Sequence, residues 1–336
     1  MRLGGSNEDS IVEKISRAGY SLGNRTARMP LALGVGDDAA LFRPQPGHET
    51  ILTCDWFLEG THFLRDKHPP DAVGWKCLAR AVSDIAAMGG TPRCFLLSLA
   101  LPAALTGHWL EEFLGGLRRA ARRFECLLAG GDTTRREEIL INVTVIGEVR
   151  RGRSVRRSGA KPGDLLYVSG RLGEAELGFQ LLKRASEAAS RTNALTRKHF
   201  YPEPRLSLGQ WLGAKGLASA MMDLSDGLSS DLPRLCATGG VGARVEPSKI
   251  PAVRVSDADR KHGFDPLRLA LDGGDDYELL FTVPPGKAKL LPRALGNVAL
   301  TPIGKITKKR GVLVVGEDGR EHRFVPGGWD PFRARR

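Results

Sequence analysis

Apolar positions along the chain follow two rhythms in turn, one helical and one strictly alternating. Ile11, Val12 and Ile15 share one face of a short helix that Asp9 or Ser10 would cap and that runs through Gly19. Leu33–Phe42 reads as a glycine-containing turn leading into a short apolar run. A strand is predicted at Thr50–Phe57, then a helix at Pro70–Met88 that Gly89 and Gly90 stop. Phe95–Leu101 is apolar enough for a buried strand, Thr106–Arg123 is an amphipathic helix, and Cys126–Ala129 is a short strand. Ile139–Val149 alternates like a half-exposed strand.

An arginine-rich segment follows, with Arg150, Arg151, Arg153, Arg156 and Arg157, and reads as a linker. After it the same grammar returns. Strands are predicted at Asp164–Ser169, Ala218–Met222, Tyr277–Val283, Leu300–Ile306 and Val312–Val315. Helices are predicted at Leu172–Ala185, Pro204–Lys215, Asp226–Cys236 and Gly286–Leu295. The pattern is that of an α/β (α+β) protein in two halves, 1–150 and 151–336, and the length of 336 residues suits two ordinary domains. No repeat of 20–50 residues is visible.

Composition changes this picture only modestly. Hydrophobic residues make up 41% and charged residues 26%, as in globular chains. Five cysteines, Cys54, Cys77, Cys94, Cys126 and Cys236, are odd in number and widely spaced, with no C-x-x-C. That argues for reduced thiols and a cytoplasmic protein, with neither a disulfide framework nor a zinc site. The longest uncharged stretch, Cys94–Leu110, is interrupted by Pro102 and is short for a membrane span. Lys and Arg total 50 against 38 Asp and Glu, a net charge of +12 that raises nucleic acid as a partner. Aromatics are only 6% and none interleaves with the basic runs, which argues against a base-stacking surface. The basic run and the tail Arg333, Arg335 and Arg336 read as solvated surface.

The chemistry lies in aspartates placed at turns beside apolar strands. They are Asp37 and Asp38, Asp55, Asp84, Asp132, Asp223 and Asp226, and Asp275 and Asp276. Turns favour Asp for purely local reasons. A whole set of such loops, however, would repel itself in one cleft unless cations intervened. Oxygen-only ligation suits Mg²⁺, which prefers carboxylates together with substrate phosphates. There is no G-x-x-x-x-G-K-[ST] and no G-x-S-x-G, so neither a P-loop nor a serine hydrolase of that type is indicated. Acidic loops without a P-loop favour phosphate chemistry in which several metal ions bridge protein and nucleotide.

Seven motifs then occur in order: Gly36-Asp-Asp-Ala-Ala40, Thr53-Cys-Asp55, Ser83-Asp-Ile-Ala-Ala-Met-Gly-Gly90, Gly130-Gly-Asp-Thr-Thr-Arg135, Arg157-Ser-Gly-Ala-Lys-Pro-Gly-Asp164, Asp223-Leu-Ser-Asp-Gly-Leu228 and Gly274-Asp-Asp-Tyr-Glu-Leu279. From about residue 5 to the region of Trp329 the chain closely resembles the thiamine-monophosphate kinase family, in the aminoimidazole-ribonucleotide-synthetase-like superfamily. The resemblance implies a homodimer whose N-terminal halves pair their sheets, with ATP and several Mg²⁺ in a cleft between the halves. It implies γ-phosphoryl transfer from ATP to thiamine monophosphate. By motif, Asp38, Asp55, Asp84, Asp132, Asp223 and Asp226 would hold metal, with oxygen ligands from Thr53 and position 54. Gly131, Asp132, Arg157 and Ser225 would contact ATP. His62, Asp275 and Trp329 would line the thiamine-phosphate pocket. No general base is implied.

Two positions depart from the family. Cys54 stands where the family has Thr or Ser, and a neutral thiol is a poor Mg²⁺ ligand, although its main-chain carbonyl remains available. Asp275 stands where the family often has Glu, with a reach one methylene shorter. Read without the family, Asp84 pairs with Arg80 on a helix face, His62 is a loop or core histidine, Trp329 packs the tail and Arg157 belongs to the solvated run.

Overall fold

The computed structural model describes residues 8–20, 30–35, 37–184, 193–316 and 319–332. They fall into two compact units. One gathers the chain up to Ile85 together with Gly90–Gly152. The other takes Ala86–Gly89 and the chain from Arg153 onward.

The first unit runs α1 (Glu8–Tyr20), β1 (Leu31–Leu33), β2 (Leu41–Phe42), β3 (His48–Leu58), α2 (Pro70–Ala87), β4 (Thr91–Leu101), α3 (His108–Arg123), β5 (Leu127–Arg135) and β6 (Leu140–Arg150). Four of the strands form a sheet in the order β3-β6-β4-β5. The β4–β5 pair is parallel, and α3 is the crossover that such a pair requires. The other two pairings are antiparallel. Leu78, Val82 and Ile85 of α2 are buried, as are Phe57, Phe95, Leu97, Leu99, Ile141, Val143 and Val145 of the sheet. These strand positions alternate with residues of the opposite face, where Leu52, Trp56 and Leu96 are exposed.

The second unit continues with β7 (Leu165–Ser169), α4 (Glu174–Arg184), α5 (Ala194–Phe200), α6 (Leu206–Ala214), β8 (Ala220–Leu224), α7 (Leu228–Gly239), β9 (Gly242–Val245), α8 (Asp257–Lys261), α9 (Pro266–Asp272), β10 (Glu278–Val283), α10 (Pro285–Ala288), β11 (Ala294–Leu295), β12 (Val298–Thr307), β13 (Gly311–Val315) and β14 (Glu321–Arg323). Its sheet has the order β14-β13-β9-β12-β7-β10-β8, with β11 on β12. Two apolar clusters use the alternate residues of these strands. Leu166, Val168, Met222 and Leu280 pack with Leu228, Leu232 and Leu235 of α7. Tyr167, Met221, Leu279 and Phe281 pack with Leu208 and Leu212 of α6 and with Ala87. Both units mix helices with largely antiparallel sheets, the α+β form of the expected class.

Four differences from the sequence expectations have physical reasons. The strand expected at Cys126–Ala129 continues to Arg135, because Gly130–Arg135 pairs in register with Leu96–Leu101 of β4. The Gly-Gly-Asp-Thr-Thr segment is therefore strand, not turn. The helix expected at Gly286–Leu295 is a single turn, α10, ahead of β11; Pro292 has no N–H for a helical bond. Asp226 precedes α7 instead of lying in it, since the helix begins at Leu228. The short α5, α8, α9 and β9 had no pattern long enough to announce them. Ala185 and the tail arginines lie outside the described residues. Among the described residues no helix is long and apolar enough to cross a membrane.

Candidate active site

In the first unit, β3 and α2 present the Thr53-Cys-Asp55 and Ser83-Asp84 motifs. The Thr53 hydroxyl donates to the Asp84 carboxylate, so a strand and a helix are joined at two of the expected oxygen ligands. Cys54 lies between Thr53 and Asp55 on β3, so its side chain takes the other face. There it exchanges contacts with Asn142, 3.3 Å from Sγ to Oδ1 and 3.1 Å from Nδ2 to Sγ. Only its main-chain carbonyl could serve a cation on the Thr53 side. The sheet register sets Asp55 in a row with Val143, Leu97 and Gly131, and Asp132 in the next row with Ser98, Asn142 and Trp56. A β-carbon on Gly131 would stand 1.9 Å from the Leu97 carbonyl oxygen, so only glycine lets this strand approach β4 so closely.

Asp38 is exposed, and its N–H is bound by the Asp37 carboxylate at 2.9 Å, a local turn role for Asp37. His62 is half-buried beside Phe57. Its Nδ1 accepts the Leu58 N–H at 3.0 Å, which leaves the proton of the neutral ring on Nε2.

In the second unit several expected positions are tied together. Asp223 ends up buried on β8, and Ser225 and Asp226 form the loop before α7. The carbonyls of that loop and of the strand end before it are taken by three N–H groups: Asp275 to Ser225 at 2.8 Å, Tyr277 to Leu224 at 2.9 Å and Trp329 to Asp226 at 2.9 Å. Asp275 and Trp329 are thus held directly against the loop that carries Asp226. Arg157 is exposed on a single 3₁₀ turn, Arg157–Gly159.

The loop's N–H groups point to residues that sequence reasoning passed over. Asp231 is fully buried; its Oδ2 accepts from Ser225 N–H at 3.1 Å and Asp226 N–H at 3.0 Å, and its Oδ1 from Arg234 at 2.9 Å. Burial, with the Asp226 charge adding to it, pushes Asp231 up to about 6 against the pull of Arg234 and the two N–H groups. Arg234 also pairs with Asp226. Tyr277 donates its hydroxyl to Asp275 Oδ1 at 2.6 Å, and both residues have left-handed backbone, φ +50° and +66°. Such strain in non-glycine residues tends to gather at functional sites. Asp276 between them accepts from Gly173 and Ala175 at the start of α4, at 2.6 and 3.2 Å. Burial raises Asp276 to about 8 in spite of those bonds. The available signal was spacing: Asp231 follows Asp226 by five residues at the opening of a helix, where an acidic side chain can meet free N–H groups.

No group of three or more His, Cys, Asp or Glu among the described residues could hold a metal ion unaided. The oxygen donors nevertheless suit Mg²⁺, which commonly takes one or two carboxylates and completes its shell with water and substrate phosphate. The four buried thiols do not compete. Burial raises Cys77, Cys94 and Cys236 to about 12, and Cys126 is pushed up as well.

Comparison with known proteins brings the two units under one heading. The AIR synthase related protein N-terminal domain matches residues 36–149, and the C-terminal domain of the same family matches 161–316. The thiamine-monophosphate kinase of Salmonella typhimurium is 38% identical over 314 residues, 92% of this chain and 94% of its own. The crystal structure of thiamine-monophosphate kinase from Stenotrophomonas maltophilia is 35% identical, with a TM-score of 0.78 and coverage of 93% and 96%. A complex of AaThiL with AMPPCP and TMP is 33% identical, with a TM-score of 0.74 over 99% of each chain.

Proposed function

The chain belongs to the thiamine-monophosphate kinases of the AIR synthase related family, and on that premise we propose how its residues carry out ATP-dependent phosphorylation of thiamine monophosphate to thiamine diphosphate. The acceptor is a phosphate monoester with a second pKa of about 6, so it is already nucleophilic near neutral pH. No general base is required. The difficulty is bringing two anions into line, and orientation with charge neutralisation relieves it.

The observation that carries the reading is the knot of loops in the second unit. Asp226, Asp275 and Trp329 are joined there by main-chain hydrogen bonds, which supports a metal-binding loop lying next to an acceptor pocket. Asp275, steadied by Tyr277, and the Nε2–H of His62 serve thiamine monophosphate. The Trp329 ring stacks on its cationic aromatic system, a contact worth ~0.5–2 kcal/mol. Arg157, Ser225, Asp132 and the Gly131 main chain serve ATP. Mg²⁺ would be held by Asp38, Asp55, Asp84, Asp132, Asp223 and Asp226, with the Thr53 hydroxyl and the Cys54 carbonyl. When bound it supplies positive charge to the phosphate oxygens. Arg234 pairs with Asp226 and holds it in place.

We further infer a homodimer formed through the outer face of the first sheet, where Leu52 is 70% and Trp56 56% exposed. Purified protein with ATP, Mg²⁺ and thiamine monophosphate is expected to release thiamine diphosphate and ADP in equal amounts. Absence of thiamine diphosphate under those conditions would overturn the proposal.

A further inference from the structure

The segment after β14 reaches the Asp226 loop through one side chain, Ser229, the second residue of α7. Ser229 is 1% exposed. Its hydroxyl donates to Asp272 Oδ1 at 2.7 Å, at the end of α9, and accepts the N–H groups of Gly327 and Gly328, each at 3.0 Å. A hydroxyl has one proton to give and two lone pairs to receive. All three are used here, two of them on the incoming segment.

The segment in turn fits only as glycine. A β-carbon on Gly327 would lie 2.5 Å from Asp272 Oδ1, and one on Gly328 would lie 2.1 Å from the Asp226 carbonyl oxygen. The next N–H, that of Trp329, binds that same carbonyl at 2.9 Å. Three successive N–H groups are therefore received by the opening of α7. The residues before them, Val325 and Pro326, are exposed and add little burial.

We propose that Ser229 is a positioning residue, a latch that fixes the Gly327-Gly328-Trp329 segment and thereby sets the thiamine-phosphate pocket without acting on ATP. The inference rests on the reading of Trp329 as part of that pocket. Ser229 touches no reacting atom. Its loss leaves two main-chain N–H groups and the Asp272 carboxylate without their shared partner, and the segment loosens.

Steady-state kinetics with each substrate varied in turn, on Ser229→Ala, Gly328→Ala and Trp329→Ala, test this. The expected result for Ser229→Ala is a roughly tenfold rise in KM for thiamine monophosphate, the scale of one lost buried hydrogen bond, with kcat and the KM for ATP within about twofold. Hydrogen exchange at residues 327–329 should quicken in Ser229→Ala. Gly328→Ala works from the other end of the latch, and is expected to reproduce the KM effect even where Ser229→Ala fails to fold. If Trp329→Ala raises the KM for thiamine monophosphate while the variant of Ser229 and that of Gly328 do not, the latch is wrong and the pocket stands. If Trp329→Ala leaves that KM unchanged, the pocket assignment falls and the latch falls with it. A fall in kcat, or equal rises in both KM values, for Ser229→Ala would show a general structural role and overturn the proposal.

Discussion

At the scale of single residues, the contact with the clearest chemical consequence is that of Thr53 with Asp84. A hydroxyl that donates to a carboxylate fixes its orientation and aims its remaining lone pairs. If Asp84 is a metal ligand, Thr53 orients it, and such orienting contacts commonly account for 10–100-fold in metal affinity or activity. Thr53→Val keeps the shape and deletes the donor. We expect the Mg²⁺ concentration for half-maximal activity to rise by roughly that factor, with the thermal midpoint little changed. Titration of activity against Mg²⁺ checks this, and a curve that overlays the wild type would remove Asp84 and Thr53 from the metal site. Cys54 should tolerate Ser or Ala in the same titration, because its sulfur faces Asn142 on the other side of β3.

At the scale of elements, Asp276 couples the start of α4 to the loop between α9 and β10. Burial raises its pKa from 3.8 to about 8. The folded chain then holds the proton more tightly than the unfolded chain, so this group's contribution to stability is full below its ordinary pKa and is lost as pH rises through about 8. Asp276→Asn imitates the protonated form and should flatten that decline. Urea midpoints measured across this range decide the matter; an Asn variant whose midpoint falls as steeply as the wild type would rule Asp276 out as the source. The elements also show what a sequence can and cannot carry. Alternation announced β3 and β6, and helical periodicity announced α2 and α3, because each buries one face against a single layer. The Asp132 segment looked like a turn because Gly-Gly-Asp-Thr-Thr has turn chemistry, yet pairing with β4 overrode the local preference. The aspartates themselves were legible, since Asp beside Gly at the end of an apolar run is an unusual cluster. Asp231 left only its spacing from Asp226 as a signal, and Ser229 left none, because its partners Asp272 and Gly327 become neighbours only after the chain has folded.

At the scale of the whole molecule, the surplus of +12 first pointed to nucleic acid. The relatives are instead thiamine-monophosphate kinases, one of them solved with AMPPCP and TMP, so the comparison points to anionic small molecules and not to nucleic acid. At this scale the proposed homodimer would cover the outer face of the first sheet. Leu52, Trp56 and Leu96 are exposed on one face of it at 70%, 56% and 36%, a face that ordinary soluble sheets line with polar side chains. Leu52 and Trp56 flank Cys54 at two residues on either side in one alternating row, and their cross-strand partners are Ile146 and Asn142. Exposed apolar side chains that a second copy presents identically can meet their own copies across a two-fold axis. Glutamate at both Leu52 and Trp56 would place four like charges together in such an interface, and the pair should separate. Light scattering during gel filtration is expected to give the mass of two chains for the wild type and of one for the double variant, at unchanged circular dichroism. A wild type that runs as a single chain at micromolar concentration would leave that face to another partner, and a double variant that remains paired would move the interface elsewhere.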